Sequence, residues 1–173
     1  MSVRAISVPP PIPGARDATT LDAFRLAWWS QRGFWHRVRH CEHGRACAFA
    51  LALLWWPTWP LHVIVRTALF RGRSLRYYIS PDRDAVVAVV VRSGAWRVTE
   101  HLSKRPGHGL GRRLREIVGP PLLEAADAEG IRVFALTGSP RLAREYAREY
   151  VDDGITTTAG GTLFTLERPP GGA

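Results

Sequence analysis

Three glycines alternate along residues 106–111, PGHGLG, between a predicted strand and a predicted helix. Gly107, Gly109 and Gly111 have no side chains, so the backbone of this segment can approach a ligand closely. The first N–H groups of the helix that follows would attract an anion. The pattern therefore indicates a site for a phosphate or pyrophosphate group. A tight strand–helix turn without a ligand is the alternative interpretation.

The spacing of these glycines differs from that of the two common nucleotide-binding motifs. A dinucleotide fold requires GxGxxG and an acidic residue at the end of the next strand. Here the glycines follow GxGxG, and the next predicted strand, IRVFALTG, ends without an acid. The P-loop pattern GxxxxGK[ST] is also absent. Arg112, Arg113 and Arg115 follow the loop, and their guanidinium groups could bind a phosphate or lie on the helix surface.

Positive charge and tryptophan are concentrated in the first part of the chain. Residues 1–76 contain eleven arginines against three acidic residues, a net charge of +8, and six of the seven tryptophans. Residues 77–173 carry a net charge of only +1. This asymmetry predicts an anionic partner for the first part. An anionic membrane is favoured over nucleic acid, because the aromatic residues lie in an apolar context and not in a polar basic groove.

Residues 46–65 form an apolar run without a charged side chain. Twenty helical residues would span about 30 Å, the thickness of a bilayer core, but Pro57 and Pro60 oppose one uniform helix. Three interpretations remain: membrane contact as a span or as a hairpin bent at the prolines, a buried helix pair, and a protein interface. A hairpin would keep the flanking Arg45 and Arg66 on the cytoplasmic side. We expect a cytoplasmic protein without a signal peptide, held at the cytoplasmic membrane face if it attaches there.

A histidine-rich stretch precedes this run. His36, His40, His43 and Cys47 are spaced four, three and four residues apart, which places them on one face of a continuous helix. Imidazole and thiolate groups suit zinc, but one straight helix cannot surround a metal with four ligands. The spacing also matches no common zinc module. We therefore expect a solvated basic face and no metal site.

The chain divides into three predicted regions. Residues 1–19 are a flexible, proline-rich tail, residues 20–74 are a basic, Trp-rich helical segment, and residues 75–170 are an α/β domain. The first helix is expected to be capped by Thr19 or Thr20 and to break at Gly33. The domain's predicted elements are strands at 75–80, 85–91 and 95–102, a helix from 110 that is interrupted at 119–121 and resumes to 129, a strand at 131–137, a helix at 140–150, and one or two strands within 156–167.

Residues 85–168 resemble the core of the GNAT acyltransferase superfamily. The resemblance rests on the order of a strand, the PGHGLGRRL loop and helix, the strand IRVFALTGSP, the helix RLAREYAREY and a closing strand pair. It implies an α/β fold in which a mixed central sheet is flanked by helices, here with a Trp-rich helical N-terminal segment. It covers about half of the chain.

The resemblance also implies a site. Backbone amides of the family's loop hold the pyrophosphate of acetyl-CoA, which would be the co-substrate here. The implied binding residues are Gly107, His108, Gly109, Leu110, Gly111 and Arg112, with Ser139 at a position where the family often has Asn. Tyr146 stands where a family tyrosine acts as general acid toward the leaving thiolate, and Tyr150 is a competitor for this role. Glu100 is the implied base, with His101 as the other candidate, and the backbone N–H near Leu102 would hold the oxyanion.

The resulting prediction is an N-acetyltransferase that moves the acetyl group of acetyl-CoA to an unknown amine and attaches to an anionic membrane through residues 20–74. The alternative is a non-catalytic GNAT-like adaptor at a membrane or protein partner.

Overall fold

The computed structural model describes residues 7–39, 50, 53–54, 56–70, 74–106, 108–137, 140–149, 156–160 and 163–169. In these residues a seven-stranded sheet has the order β1-β2-β3-β4-β5-β7-β6. The strands are β1 (Arg16–Asp17), β2 (Leu75–Ile79), β3 (Ala85–Arg92), β4 (Ala95–Ser103), β5 (Arg132–Thr137), β6 (Thr156–Gly160) and β7 (Leu163–Arg168). Strands β4 and β5 pair in parallel, and the other described pairs are antiparallel.

Helices cover both faces of the sheet. They are α1 (Asp22–Arg39), α2 (Trp59–Phe70), which follows a short 3-10 turn, α3 (Leu110–Glu129) and α4 (Pro140–Glu149). Leu26 and Trp29 of α1 pack against one face of β2 and β3. Leu114, Val118 and Leu122 of α3 pack against the other face. The described residues therefore form helix, sheet and helix layers with an apolar core on each face of the sheet, which is the α/β arrangement that the sequence predicted.

Helix α1 begins where the sequence predicted and runs past its expected break. The Asp22 carboxylate accepts hydrogen bonds from the backbone amide and the hydroxyl of Thr19, at 3.0 and 2.8 Å, as in a capping box. The prediction that Gly33 ends the helix was wrong, because α1 continues to Arg39. The burial of Leu26 and Trp29 against the sheet offsets the roughly 1 kcal/mol that one helical glycine costs.

The interruption predicted at residues 119–121 was also wrong. Helix α3 runs without a break through Pro120 and Pro121. Pro120 is exposed, so the carbonyl groups that the two prolines leave without a helical donor can reach water. Val118 and Leu122 are buried on either side of the prolines, and this packing holds the helix together.

Residues 7–18 lie against the sheet, which corrects the prediction of a flexible tail for this part of residues 1–19, whereas residues 1–6 lie outside the described residues. The Trp96 indole N–H donates to the Ser7 carbonyl at 2.9 Å, and the Tyr78 hydroxyl donates to the Pro10 carbonyl at 2.7 Å. Ile12 joins the core on the α3 side. Prolines in extended conformation lose little entropy on ordering, so a few such contacts hold this segment in place. We call residues 7–18 the strap.

The apolar run 46–65 is not one uniform helix in its described part. The 3-10 turn Trp56–Thr58 precedes α2, which begins at Trp59. Pro60 therefore lies in the first turn of α2, where its missing N–H group has no helical partner to lose. No helix in the described ranges has both the length and the apolar character to cross a bilayer.

If the strap belongs to the core, Ile12→Ala should lower the free energy of unfolding by about 2–4 kcal/mol, because Ile12 is buried among large apolar side chains. Leu21→Ala is the control, since Leu21 is 84% exposed and its loss should change stability by less than about 0.5 kcal/mol. Urea unfolding measures both. Equal stability of the two variants would contradict the packing of the strap and support the flexible tail that the sequence predicted.

Candidate active site

Strands β4 and β5 part from each other halfway along their length. Their pairing covers four positions and ends where Val98 faces Ala135. Beyond that point residues 100–103 of β4 pair with β3, while Leu136 and Thr137 of β5 pair with β7. In the described residues β4 and β5 no longer pair with each other beyond this point, so the sheet opens between them. We call this opening the fork.

A β-bulge lies on the β4 side of the fork. The β3–β4 register shifts between Ala88 and Val89, which face Glu100 and Val98, so Thr99 is an extra residue on β4. A bulge re-aims the side chains that follow it. Glu100 contacts α2 on one face of the sheet, and His101 contacts α4 on the other.

Tyr146 lies directly against His101. Its hydroxyl forms a hydrogen bond with His101 Nε2, and the two rings meet edge to face with centroids 5.6 Å apart. Tyr146 is 6% exposed. Because His101 belongs to β4 and Tyr146 to the helix after β5, this hydrogen bond joins the two sides of the fork.

Burial, and second the nearby Arg115 guanidinium, lower the pKa of His101 to about 3. His101 is therefore neutral near pH 7, and one of its ring nitrogens can accept a hydrogen bond from a hydroxyl group. The Tyr146 hydroxyl can thus donate to Nε2 while it keeps its own proton.

Arg115 is a buried cation beside this pair. Its side chain is 6% exposed, its guanidinium lies 5.0 Å from the centroid of the Tyr146 ring, and its Nη2 is 3.2 Å from a Glu145 carboxylate oxygen. Arg141 holds the other Glu145 oxygen at 2.9 Å. The hydrogen bonds from Arg141 and Arg115, together with their charges, lower the pKa of Glu145 although its partial burial opposes this.

A cavity of about 60 Å³ lies beneath the end of the β4–β5 pairing. Val98 and Ala135, the last paired residues, line it together with apolar side chains of α3, and His101, Arg115 and Tyr146 form part of its wall. The polar groups of the fork therefore border an apolar space, and the low dielectric of that space strengthens electrostatic interactions there.

The glycine segment leads from β4 into α3. Gly109 is the N-cap of α3, with φ +72° and no capping side chain. A Cβ atom built at Gly109 would meet no other atom within 4 Å, so open space lies in front of this helix end. His108, Gly109 and Arg112 are exposed and Leu110 and Gly111 are half-buried, while Arg112 pairs with Glu116 at 3.1 Å. The start of α3 thus has no side-chain cap and lies beside exposed cations.

Glu100 has a partner that the sequence did not indicate. The Arg66 guanidinium of α2 donates to the Glu100 carboxylate at 2.5 Å and to the Ser30 hydroxyl at 2.5 Å. The Arg66 side chain is 7% exposed, so its charge faces the protein and not a lipid headgroup. Glu100 and Tyr146 therefore reach the fork from opposite faces of the sheet.

Comparison with known proteins identifies the fold. The structure is similar to that of the PaiA N-acetyltransferase of Thermoplasma acidophilum, solved in complex with coenzyme A, at a TM-score of 0.58 and 11% identity over 90% of this chain and 97% of the other. The chain has the GNAT fold. An acetyltransferase of Thermus thermophilus is also similar, at a TM-score of 0.55 and 18% identity over 90% and 95% of the two chains. The GNAT fold predicted from the sequence is thereby confirmed. No protein-family model matches the sequence, and no curated protein matches it either.

The structure places the sequence-predicted site residues around the GNAT fork to different extents. Tyr146 reaches the fork from α4, Glu100 and Leu102 lie on β4 beyond the last β4–β5 pair, and the loop residues 108–112 surround the α3 N-terminus. Gly107 and Ser139 lie outside the described residues. The side chain of Arg115 is buried, whereas that of Arg112 is exposed. The position of Arg115 in the sequence did not indicate this burial.

The predicted histidine stripe cannot be placed in the same way. His40, His43 and Cys47 lie outside the described residues, as does the side chain of His36. In the part of the chain that the structure describes, no group of three His, Cys, Asp or Glu side chains could hold a metal ion.

The low pKa of His101 has a consequence for stability. Between pH 6.5 and about 3 the unfolded chain binds a proton at His101 that the folded protein does not bind, so stability falls as the pH falls. Relative to His101→Asn, the wild type should lose up to about 1.4 kcal/mol of unfolding free energy per pH unit in this window. Urea unfolding at several pH values measures the difference, and parallel curves for the two proteins would contradict it.

Proposed function

We propose that this protein is an N-acetyltransferase that uses acetyl-CoA. The observation that carries the proposal is the fork itself, with a buried tyrosine on one side and an uncapped helix N-terminus at its open end. The similar N-acetyltransferase of Thermoplasma acidophilum was solved with coenzyme A, which supports the choice of co-substrate.

The pyrophosphate of CoA would bind at the N-terminus of α3. Gly109 lets the backbone turn with a positive φ, and no side chain caps the start of the helix, whose first amides would bind the anion. Lys104, Arg105, Arg112 and Arg113 are exposed around this point, and their charge would complement the phosphates. Gly107 and Ser139 are proposed as further contacts from the sequence resemblance.

The thioester would lie in the fork. The backbone N–H of β4 near Leu102 would hold the carbonyl oxygen as negative charge develops on it. Tyr146, on the α4 side, would give its proton to the departing thiolate. Glu100 lies on the other face beside α2, so the amine is proposed to approach from there, with Glu100 as the base that takes its proton.

Binding of acetyl-CoA by the full chain tests the proposal, with calorimetry as the measurement. Gly109→Ala should weaken binding at least about tenfold, because the added methyl group projects into the space before the helix N-terminus. Gly130→Ala is a matched control. Gly130 caps the other end of α3 with φ +66°, and its Cβ would also meet no atom, so the two variants share the backbone strain.

The outcomes separate the alternatives. Equal weakening in both variants would mean that backbone strain, not blocked access, is responsible. No heat from the wild type at millimolar acetyl-CoA would remove the enzyme proposal and leave the non-catalytic adaptor.

We further propose that an apolar patch on α1 and α2 attaches the protein to an anionic membrane. Large apolar side chains are exposed there: Leu21, which directly precedes α1, Phe24 and Trp28 of α1, and Leu61, Ile64 and Val65 of α2. Residues 1–76, which contain the patch, carry a net charge of +8. Apolar insertion and attraction to anionic headgroups would then act together, the latter contributing about 1 kcal/mol for each basic residue near the surface. Arg66 does not contribute to the proposed membrane attachment, because its guanidinium pairs with Glu100.

Flotation with phosphatidylcholine vesicles, with and without phosphatidylserine, tests the patch. We expect binding to the anionic vesicles that Ile64→Ser abolishes, because Ile64 is 65% exposed and its loss removes apolar contact without opening the core. Arg32→Ala on α1 should weaken binding about fivefold, whereas Arg144→Ala on α4, an equally exposed charge outside the patch, should not. Absence of binding to both kinds of vesicle would end the membrane proposal.

A further inference from the structure

We propose that Arg115 is a positioning residue for Tyr146, whose guanidinium stabilises the phenolate that forms when Tyr146 gives its proton to the thiolate of CoA. This inference rests on the proposed acetyltransferase function. It adds to that function a residue of α3 that the phosphate-binding pattern alone would have placed on the surface.

The geometry of Arg115 supports this role. The guanidinium lies 5.0 Å from the centroid of the Tyr146 ring, and the side chain is 6% exposed. A cation at this distance favours the ionised form of a neighbouring phenol, most strongly where water is scarce. The contact also fixes the ring, because Arg115 lies on its face while His101 meets its hydroxyl.

The other charged and titratable groups around Tyr146 leave this effect intact. Glu145 on the same helix is shared by Arg115 and Arg141, so these three groups keep a net positive charge. His101 on β4 is neutral, because burial and Arg115 lower its pKa to about 3. Arg168 of β7 lines the same cavity, but its guanidinium donates two hydrogen bonds, of 2.6 and 2.8 Å, to the Asp127 carboxylate, which offsets its charge.

The proton transfer is balanced without a further reactant. When the tetrahedral intermediate collapses, the C–S bond breaks and its electron pair stays on sulfur. The O–H bond of Tyr146 then breaks as the S–H bond of CoA forms, which leaves a phenolate. The base that deprotonated the amine has taken up the other proton, and exchange with solvent restores both groups. Arg115 offsets the negative charge on Tyr146 during the interval.

The first experiment measures the phenol directly in the free protein. Burial, followed by the charge of Glu100, raises the pKa of Tyr77 to about 12, and burial likewise raises the pKa of Tyr78. In a Tyr150→Phe background the only tyrosines left are Tyr77, Tyr78 and Tyr146, so ultraviolet absorbance, followed to the highest pH at which the fold persists, measures the ionisation of Tyr146 beside these two tyrosines. Arg115→Met should move this ionisation about one pH unit higher, and Arg115→Lys, which keeps the charge, by less.

Arg132→Met is the matched control for the titration. Arg132 also lies over an aromatic ring, 5.6 Å from the Phe134 centroid, and pairs with Glu167 at 3.5 Å, but it does not contact Tyr146. It should leave the ionisation of Tyr146 unchanged. An unchanged ionisation in Arg115→Met, or an equal shift in Arg132→Met, would overturn the inference. Circular dichroism at each pH shows that the fold persists, and Arg115→Lys gives the result if Arg115→Met does not fold.

The second experiment measures turnover by thiol release with a panel of amines. Arg115→Met should lower kcat about tenfold and change the KM for acetyl-CoA less than about twofold, since Arg115 acts on proton transfer. In a Tyr146→Phe background the same substitution should have no further effect. An equal loss in both backgrounds would assign Arg115 to packing or CoA binding. If the wild type shows no turnover at all, the acetyltransferase proposal fails, and the titration still decides the effect of Arg115 on Tyr146.

Discussion

The parting of β4 and β5 after Val98 and Ala135 is the constraint on which the candidate site depends. A strand that is paired on both sides has no backbone hydrogen-bonding groups left for a ligand. Inner strands such as β4 and β5 can therefore offer such groups only where their pairing stops. The flanking pairs, β3 with β4 and β5 with β7, continue past this point and keep both strands in place. The opening is thus rigid on both sides, and this rigidity suits the positioning of a ligand.

Because the bulge at Thr99 lies just beyond the last pair, it determines which face each of the next side chains occupies. Glu100 turns toward α2 and His101 toward α4. Two groups that could move protons are thereby separated by the sheet, each with its own cation: Arg66 beside Glu100 and Arg115 beside Tyr146. The sheet keeps the two groups apart, so the nearest cation of each group acts mainly on that group alone. A reaction that removes a proton from one reactant and supplies one to another benefits from such a division.

The sequence predicted the sheet and the helices of residues 75–168 well, because their signals are local. The β-branched run that became β3 and the alternation of glycines before α3 depend on near neighbours alone. The strap could not be predicted, because its partners, Tyr78 and Trp96, lie far along the chain. The continuity of α3 through Pro120 and Pro121 was missed for the same reason: burial of its flanks outweighs the local cost of proline. In the site, Tyr146 followed from a family pattern, whereas the ion pair of Arg66 with Glu100 joins residues 34 positions apart.

Helix α3 connects the two ends of the proposed co-substrate. Its first amides lie at the anion site, and Arg115 follows Leu110 by five residues, a rise of about 7–8 Å. Arg112 remains exposed, one turn before Arg115 enters the core, so a single helix presents one cation to solvent and another to the fork. Because a helix is stiff over this length, the α3 backbone fixes the distance between the amides proposed to bind phosphate and Arg115, which contacts Tyr146. A ligand whose phosphates bind these amides would therefore place its other end at a defined depth in the fork, beside Tyr146, which Arg115 contacts.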